Sequence, residues 1–160
     1  MKLSAINFSE RRDIEKLVRL VDAHRHTLVG GRDAPLEQEI KDKLLSELPR
    51  YSNAIAFVAE RPAELAGVVF GSYALYIFSG KPCANVQLLF VRPEFQRRGL
   101  GRKLMLAFEE KARELGCCKI TLEVREVNDP AKGLYRGLQY SRGRFGPRNE
   151  VVEFWEKNFQ

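Results

Sequence analysis

The sequence predicts a single α/β domain, and three observations predict it. Segments with apolar residues three and four apart alternate along the chain with segments of alternating or continuous apolar residues, the periods of helices and strands. A length of 160 residues, 44% hydrophobic and 30% charged, suits one globular core. No internal repeat, low-complexity stretch or linker divides residues 1–160.

After a first strand at Lys2 to Phe8, Ser9 can cap a helix whose Ile14, Leu17, Val18 and Val21 share one face to about Ala23. Gly30-Gly31-Arg32-Asp33 breaks the chain. Asp33 can cap a second helix, with Leu36, Ile40, Leu44 and Leu48 at i+4 until Pro49 ends it. Ala54 to Glu60 is an apolar run rich in strand formers, Arg61 to Glu64 reads as a turn around Pro62, and Leu65 to Phe78 reads as a long strand bulged at Gly71. Gly80-Lys81-Pro82 ends it. Asn85 to Val91 follows, and its run Val86-Gln87-Leu88-Leu89-Phe90-Val91 is too apolar for an edge bare on both faces, so a central strand is expected.

From Gly99 onward, Leu100, Leu104, Phe108, Ala112 and Leu115 mark the stripe of a helix, with Glu109, Glu110, Arg113 and Glu114 largely off it and Gly116 as its stop. Ile120, Leu122 and Val124 alternate as a strand. Asn128 or Asp129 caps a short helix with Pro130 in its first turn, and Gln139 to Phe145 with Glu150 to Phe159 reads as a closing antiparallel pair.

Composition removes several classes. The longest uncharged run, Leu65 to Gly80, has sixteen residues interrupted by three glycines, short of the roughly 20 apolar residues of a spanning helix. No apolar segment follows Met1-Lys2-Leu3-Ser4-Ala5, so a cytoplasmic protein is expected. Cys83 stands alone and Cys117 and Cys118 are adjacent, which favours reduced thiols over disulfides or a metal framework, and no metal is expected. The net charge is +6, but its excess is local: Val91 to Arg148 holds 14 Lys/Arg against 7 Asp/Glu. Such a basic third suits nucleic acid, a membrane face or a phosphorylated small molecule, and charge alone does not choose.

The segment Val91-Arg92-Pro93-Glu94-Phe95-Gln96-Arg97-Arg98-Gly99-Leu100-Gly101-Arg102 makes the choice. It runs from an apolar strand into a helix start, where free first-turn amides and the helix dipole favour an anion. Gly99 and Gly101 let the backbone approach phosphate oxygens, and Arg97, Arg98, Arg102 and Lys103 surround them. A lone G-x-G would mark no more than a helix start; four basic residues after a buried strand shift the reading toward phosphate. A Walker loop would need Gly-Lys-Ser/Thr, and a dinucleotide fingerprint a third glycine at Leu104; both fail.

Gln96-Arg97-Arg98-Gly99-Leu100-Gly101, preceded by Leu89-Phe90-Val91-Arg92-Pro93 and followed by Asn128-Asp129-Pro130-Ala131 and Tyr135, resembles the acyl-CoA loop and its downstream partner in the GNAT superfamily of N-acetyltransferases. Within it the likeness is to the diamine and polyamine acetyltransferase-like group. The resemblance implies a mixed, mostly antiparallel central sheet with splayed central strands, flanked by helices. It implies acetyl-CoA as cosubstrate: Leu89, Phe90 and Val91 pair their backbone with the pantetheine arm, Arg97, Arg98, Gly99, Leu100, Gly101 and Arg102 hold the diphosphate, and Asn128 contacts the arm. It makes Tyr135 the catalytic acid that protonates the leaving thiolate.

The base departs from the likeness, since the positions of a glutamate and an aspartate in the polyamine-type enzymes fall on Gln87 and Leu88. Gln87 is then expected to orient the amine, with a water relay delivering the proton to Glu123 or Glu126; both glutamates read better as solvent-facing. His24 and His26 read as surface residues. Cys117 and Cys118 lie far along the chain from Tyr135, so direct attack in a ternary complex is favoured over an acyl-cysteine. Tyr73, Tyr76, Phe78 and Trp155 could line an acceptor pocket, although aromatic strand residues are more often core.

The reading that follows is an N-acetyltransferase for a primary amine of a small molecule. A protein N-terminal or lysine acetyltransferase and a non-catalytic acyl-CoA-binding regulator are the alternatives. No membrane partner is expected, nucleic acid is disfavoured because no aromatics interleave the basic residues at 97–102, and Glu150 to Phe159 could supply a homodimer surface.

Overall fold

Five strands make the central sheet: Lys2–Ala5 (β1), Ala54–Arg61 (β2), Glu64–Tyr76 (β3), Lys81–Val91 (β4) and Ile120–Leu122 (β5). They lie in chain order, the first four antiparallel and β5 parallel to β4. Arg11–Arg25 (α1), Gln38–Glu47 (α2) and Leu100–Glu114 (α3) complete a unit spanning residues 1–125. A second unit, 126–160, holds Asp129–Gly137 (α4) and the antiparallel pair Arg144–Phe145 (β6) and Glu150–Val151 (β7). The structure, a computed structural model, describes residues 1–27, 34–145 and 150–151. Asp33 as a helix cap, Trp155, and most of the Glu150 to Phe159 surface lie outside the described residues.

The sheet is apolar on both faces because helices cover both. On one, Ile14, Leu17, Val18 and Leu20 of α1 join Ala56, Val58, Val68 and Phe90 of the strands in a buried cluster. On the other, Leu104, Met105, Phe108 and Ala112 of α3 are fully buried, with Leu104 against Gly67 and Phe108 against Gly71. The α3 stripe is wider than the sequence spacing suggests: Glu109 is also buried, its carboxylate held by Arg113 at 2.9 Å. That arginine reaches in from an exposed position and supplies the partner a buried charge requires.

Several boundaries differ from the sequence reading, each for a local reason. Ser9 does not cap α1: its amide bonds Asn7 Oδ1 at 3.0 Å, and the cap position falls on Glu10, which makes no side-chain cap. Asp13, in the first turn, receives the Asn7 amide instead. Leu36 precedes α2, and its amide is held by the Asp22 carboxylate at 2.6 Å. β4 begins at Lys81, not Asn85, because Gly80 at φ 63° turns the chain at once. At the end of α3, Gly116 at φ 75° donates to the Arg113 carbonyl and Cys117 to that of Ala112, a Schellman stop at the expected glycine.

Candidate active site

The expected bulge is present, with the extra residue on the neighbouring strand. Phe70 pairs with Leu88 and Gly71 with Val86, so Gln87 is the inserted residue, on β4. Gly71 is required there, since a Cβ would stand 2.1 Å from the Asn85 carbonyl oxygen. At this same point β4 loses its second neighbour: β5 pairs with it only over Ala84, Asn85 and Val86. Beyond Val86, the residues Leu88, Leu89, Phe90 and Val91 are paired to β3 alone. β4 is thus an inner strand in its first half and an edge in its second. That edge exposes backbone amides and carbonyls, the complement of a ligand carrying amides of its own.

The chain then enters the loop that leads to α3. Pro93–Phe95 forms a 3-10 turn, and Phe95 is buried, with the Arg61 guanidinium 5.2 Å from its ring centre. The Gln96 side chain donates to the Val91 carbonyl at 2.8 Å, tying the loop to the strand end. Arg97 at φ 57° and Gly99 at φ 75° are left-handed, while Arg98 between them is not. Alternation of this kind turns successive N–H groups into one concavity, an anion nest. The amides of Arg97, Arg98, Gly99, Leu100 and Gly101 find no backbone acceptor among the described residues. A Cβ on Gly99 would meet nothing within 4 Å, so the concavity is open. Arg97, Arg98, Arg102 and Lys103 are exposed around it. Free amides, a helix start and four cations fit a diphosphate.

The remaining residues are placed as follows. Gln87 is exposed, and its Nε2 donates to Ser72 Oγ at 3.3 Å. His24 corrects the reading as a surface residue: its ring packs 5.2 Å from that of Phe90, and Nδ1 is buried without a partner among the described residues. Burial holds its pKa below the ordinary value, so the imidazole is neutral. The signal was available, because His24 continues the α1 stripe at i+3 from Val21 and i+7 from Leu17. His26, Glu123 and Glu126 are exposed, as read. Tyr73 lines an open groove of about 390 Å³ with Phe8, Phe57 and Ala107, on the α3 face of the sheet. Tyr76 faces the other way, under Lys119, and Phe78 is 81% exposed, so these aromatics do not form one pocket.

In the second unit, Asn128 rather than Asp129 caps α4, its Oδ1 accepting from the Ala131 amide at 3.3 Å. Tyr135 sits within α4 with its ring 5.9 Å from that of Tyr140, and burial pushes its phenol above the usual value. The phenol therefore stays protonated through the neutral range, the state a proton donor needs.

Residues 18–140 match the family model described as Acetyltransferase (GNAT) family. The chain is 30% identical over 106 residues to the thialysine N-epsilon-acetyltransferase of Bos taurus, covering 64% of this chain and 62% of that protein. It is 35% identical over 104 residues to an acetyltransferase of Pectobacterium atrosepticum, covering 65% and 66%. It thus spans just under two thirds of the length of these curated relatives. Among solved structures, an aminoglycoside acetyltransferase from an uncultured soil metagenomic sample, in complex with sisomicin, superposes at a TM-score of 0.76 with 22% identity, over 99% of this chain and 96% of that one. That likeness is one of fold.

Proposed function

Because the chain belongs to the acetyltransferase (GNAT) family, we propose that residues 1–160 act as one acyl-CoA N-acyltransferase domain, transferring acetyl from acetyl-CoA to a primary amine of a small molecule. The observation that carries this reading is the coincidence, at one end of β4, of an unpaired strand edge and an open nest of amides ringed by cations. Leu89, Phe90 and Val91 offer main-chain partners to the two amides of pantetheine. Arg97 to Arg102 offer the diphosphate their N–H groups and guanidinium charge, and the Asn128 side chain keeps its NH2 group to donate to the arm. Three free thiols suit a cytoplasmic setting.

The chemistry asks little more of the side chains. The amine nitrogen forms a bond to the thioester carbon, the carbon–sulfur bond breaks, and the thiolate takes a proton. Tyr135 supplies that proton from its phenol, and bulk solvent returns it. An alkyl ammonium of pKa about 10.4 is neutral in only about one part in 10³ at pH 7, and water carries its proton away while Gln87 orients the nitrogen. Neither Gln87 nor Leu88 can act as a base.

The test is release of CoA from acetyl-CoA across a panel of primary amines. Turnover is expected with wild type, and Tyr135→Phe should lower kcat about 10²-fold with little change in the KM for acetyl-CoA. Because burial raises the phenol's pKa, its loss of a proton should not limit kcat below about pH 10. Absence of CoA release from every amine, with Tyr135→Phe indistinguishable from wild type, overturns the proposal.

A further inference from the structure

Ser72, Asn85 and Thr121 stand directly opposite one another on β3, β4 and β5, one register step before β4 and β5 part. Residues opposed in this way carry their side chains on one face. The Thr121 hydroxyl donates to the Ala84 carbonyl at 3.3 Å, so its lone pair receives Asn85 Nδ2 at 3.0 Å. That order leaves Asn85 Oδ1 as the group free to accept. Gln87, inserted by the bulge, gives its Nε2 to Ser72 and likewise keeps Oε1. Two amide oxygens thus remain available on one polar row, and no donor among the described residues reaches either.

The row contains no carboxylate. Lys119, just ahead of β5 and two residues before Thr121, holds its ammonium 3.7 Å over the ring of Tyr76, which lies four residues along β3 from Ser72. A diamine reaching from the row toward Tyr76 would bring its second ammonium to this cation, whereas an acceptor with a carboxylate at its far end would find a partner. Neutral amide oxygens also orient an ammonium while raising its pKa less than a carboxylate would, so the nitrogen loses its proton more readily than it would beside a carboxylate. All of these residues lie within the unit 1–125.

We propose that the Ser72–Asn85–Thr121 row with Gln87 is the acceptor floor, and that the acceptor is an ω-amino acid whose amine rests on Gln87 Oε1 and Asn85 Oδ1 and whose carboxylate turns to Lys119. This rests on the acetyltransferase reading above and adds the substrate class.

The experiment compares kcat/KM for 6-aminohexanoate and 1,5-diaminopentane at saturating acetyl-CoA, at low salt. The amino acid should be preferred by at least about fivefold, the weight of one exposed charge pair. Lys119→Glu should reverse the preference, Lys119→Arg should keep it, and Gln87→Glu should move it toward the diamine. Calorimetric titration of 6-aminohexanoate into the protein with CoA present reads the same floor without turnover. Binding that Lys119→Glu abolishes and Lys119→Arg retains, with no acetyl transfer to any amine, upholds the floor and sinks only the enzymatic reading. Turnover of both compounds at a ratio that Lys119→Glu leaves unchanged, or no binding of the amino acid to any form, overturns the floor.

Discussion

A glycine at 71 decides whether the bulge can form. Its missing Cβ leaves room for the Asn85 carbonyl at 2.1 Å and the Phe108 ring at 2.8 Å, and neither backbone nor a packed ring yields cheaply. Gly71→Ala is therefore expected to cost about 3 kcal/mol, read as a lower urea midpoint at unchanged slope. Asp22 does different work. Burial raises its carboxyl pKa, but the Leu36 amide and then the Lys41 ammonium at 3.0 Å outweigh it, and the net shift is downward. The folded state thus holds fewer protons than the unfolded one. The stabilisation is complete above the unfolded value of about 3.9 and is lost as pH falls through the lower folded value. Asp22→Asn should cost about 1 to 2 kcal/mol at pH 7 and much less near pH 2, a difference that urea unfolding at the two pH values measures.

The two ends of α3 carry glycines of the same geometry and, on the present reading, of different use. Gly99 and Gly116 both have φ 75° and both face open space. Alanine at either pays the left-handed penalty of about 1 to 2 kcal/mol. Only Gly99→Ala puts a methyl group into the amide concavity, so it alone should raise the KM for acetyl-CoA, several-fold, while Gly116→Ala should leave that KM within error. Steady-state kinetics of the two variants, paired with their melting temperatures, separates the effects. The strand preceding the loop shows the same division between structure and use: one edge of β4 belongs to β3 throughout, and the other is released after Val86.

Taken as a whole, the 1–125 unit is a sheet held between helices, with buried side chains on both faces, the α3 face among them. Phe108 is fully buried there, and Phe108→Ala should cost about 3 to 5 kcal/mol in equilibrium unfolding, more than any change at the exposed arginines. Placing a basic, solvent-exposed loop at the end of so rigid a layer lets charge gather for a ligand without entering the core. Among the described residues no helix is long and apolar enough to cross a membrane.

Order along the chain was legible from residues alone, because helix and strand periods, glycine stops and the Asn128-Asp129-Pro130 start are local properties. So was the loop proposed to hold the diphosphate, because its glycines and arginines are contiguous. Pairing was not. That Gln87 rather than Gly71 is the inserted residue, that β5 leaves β4 after three residues, that Ser72, Asn85 and Thr121 fall in one row, and that Glu109 is buried all depend on residues distant in sequence meeting in space. Periodicity says which side of an element is apolar; only the register between elements says what that side meets.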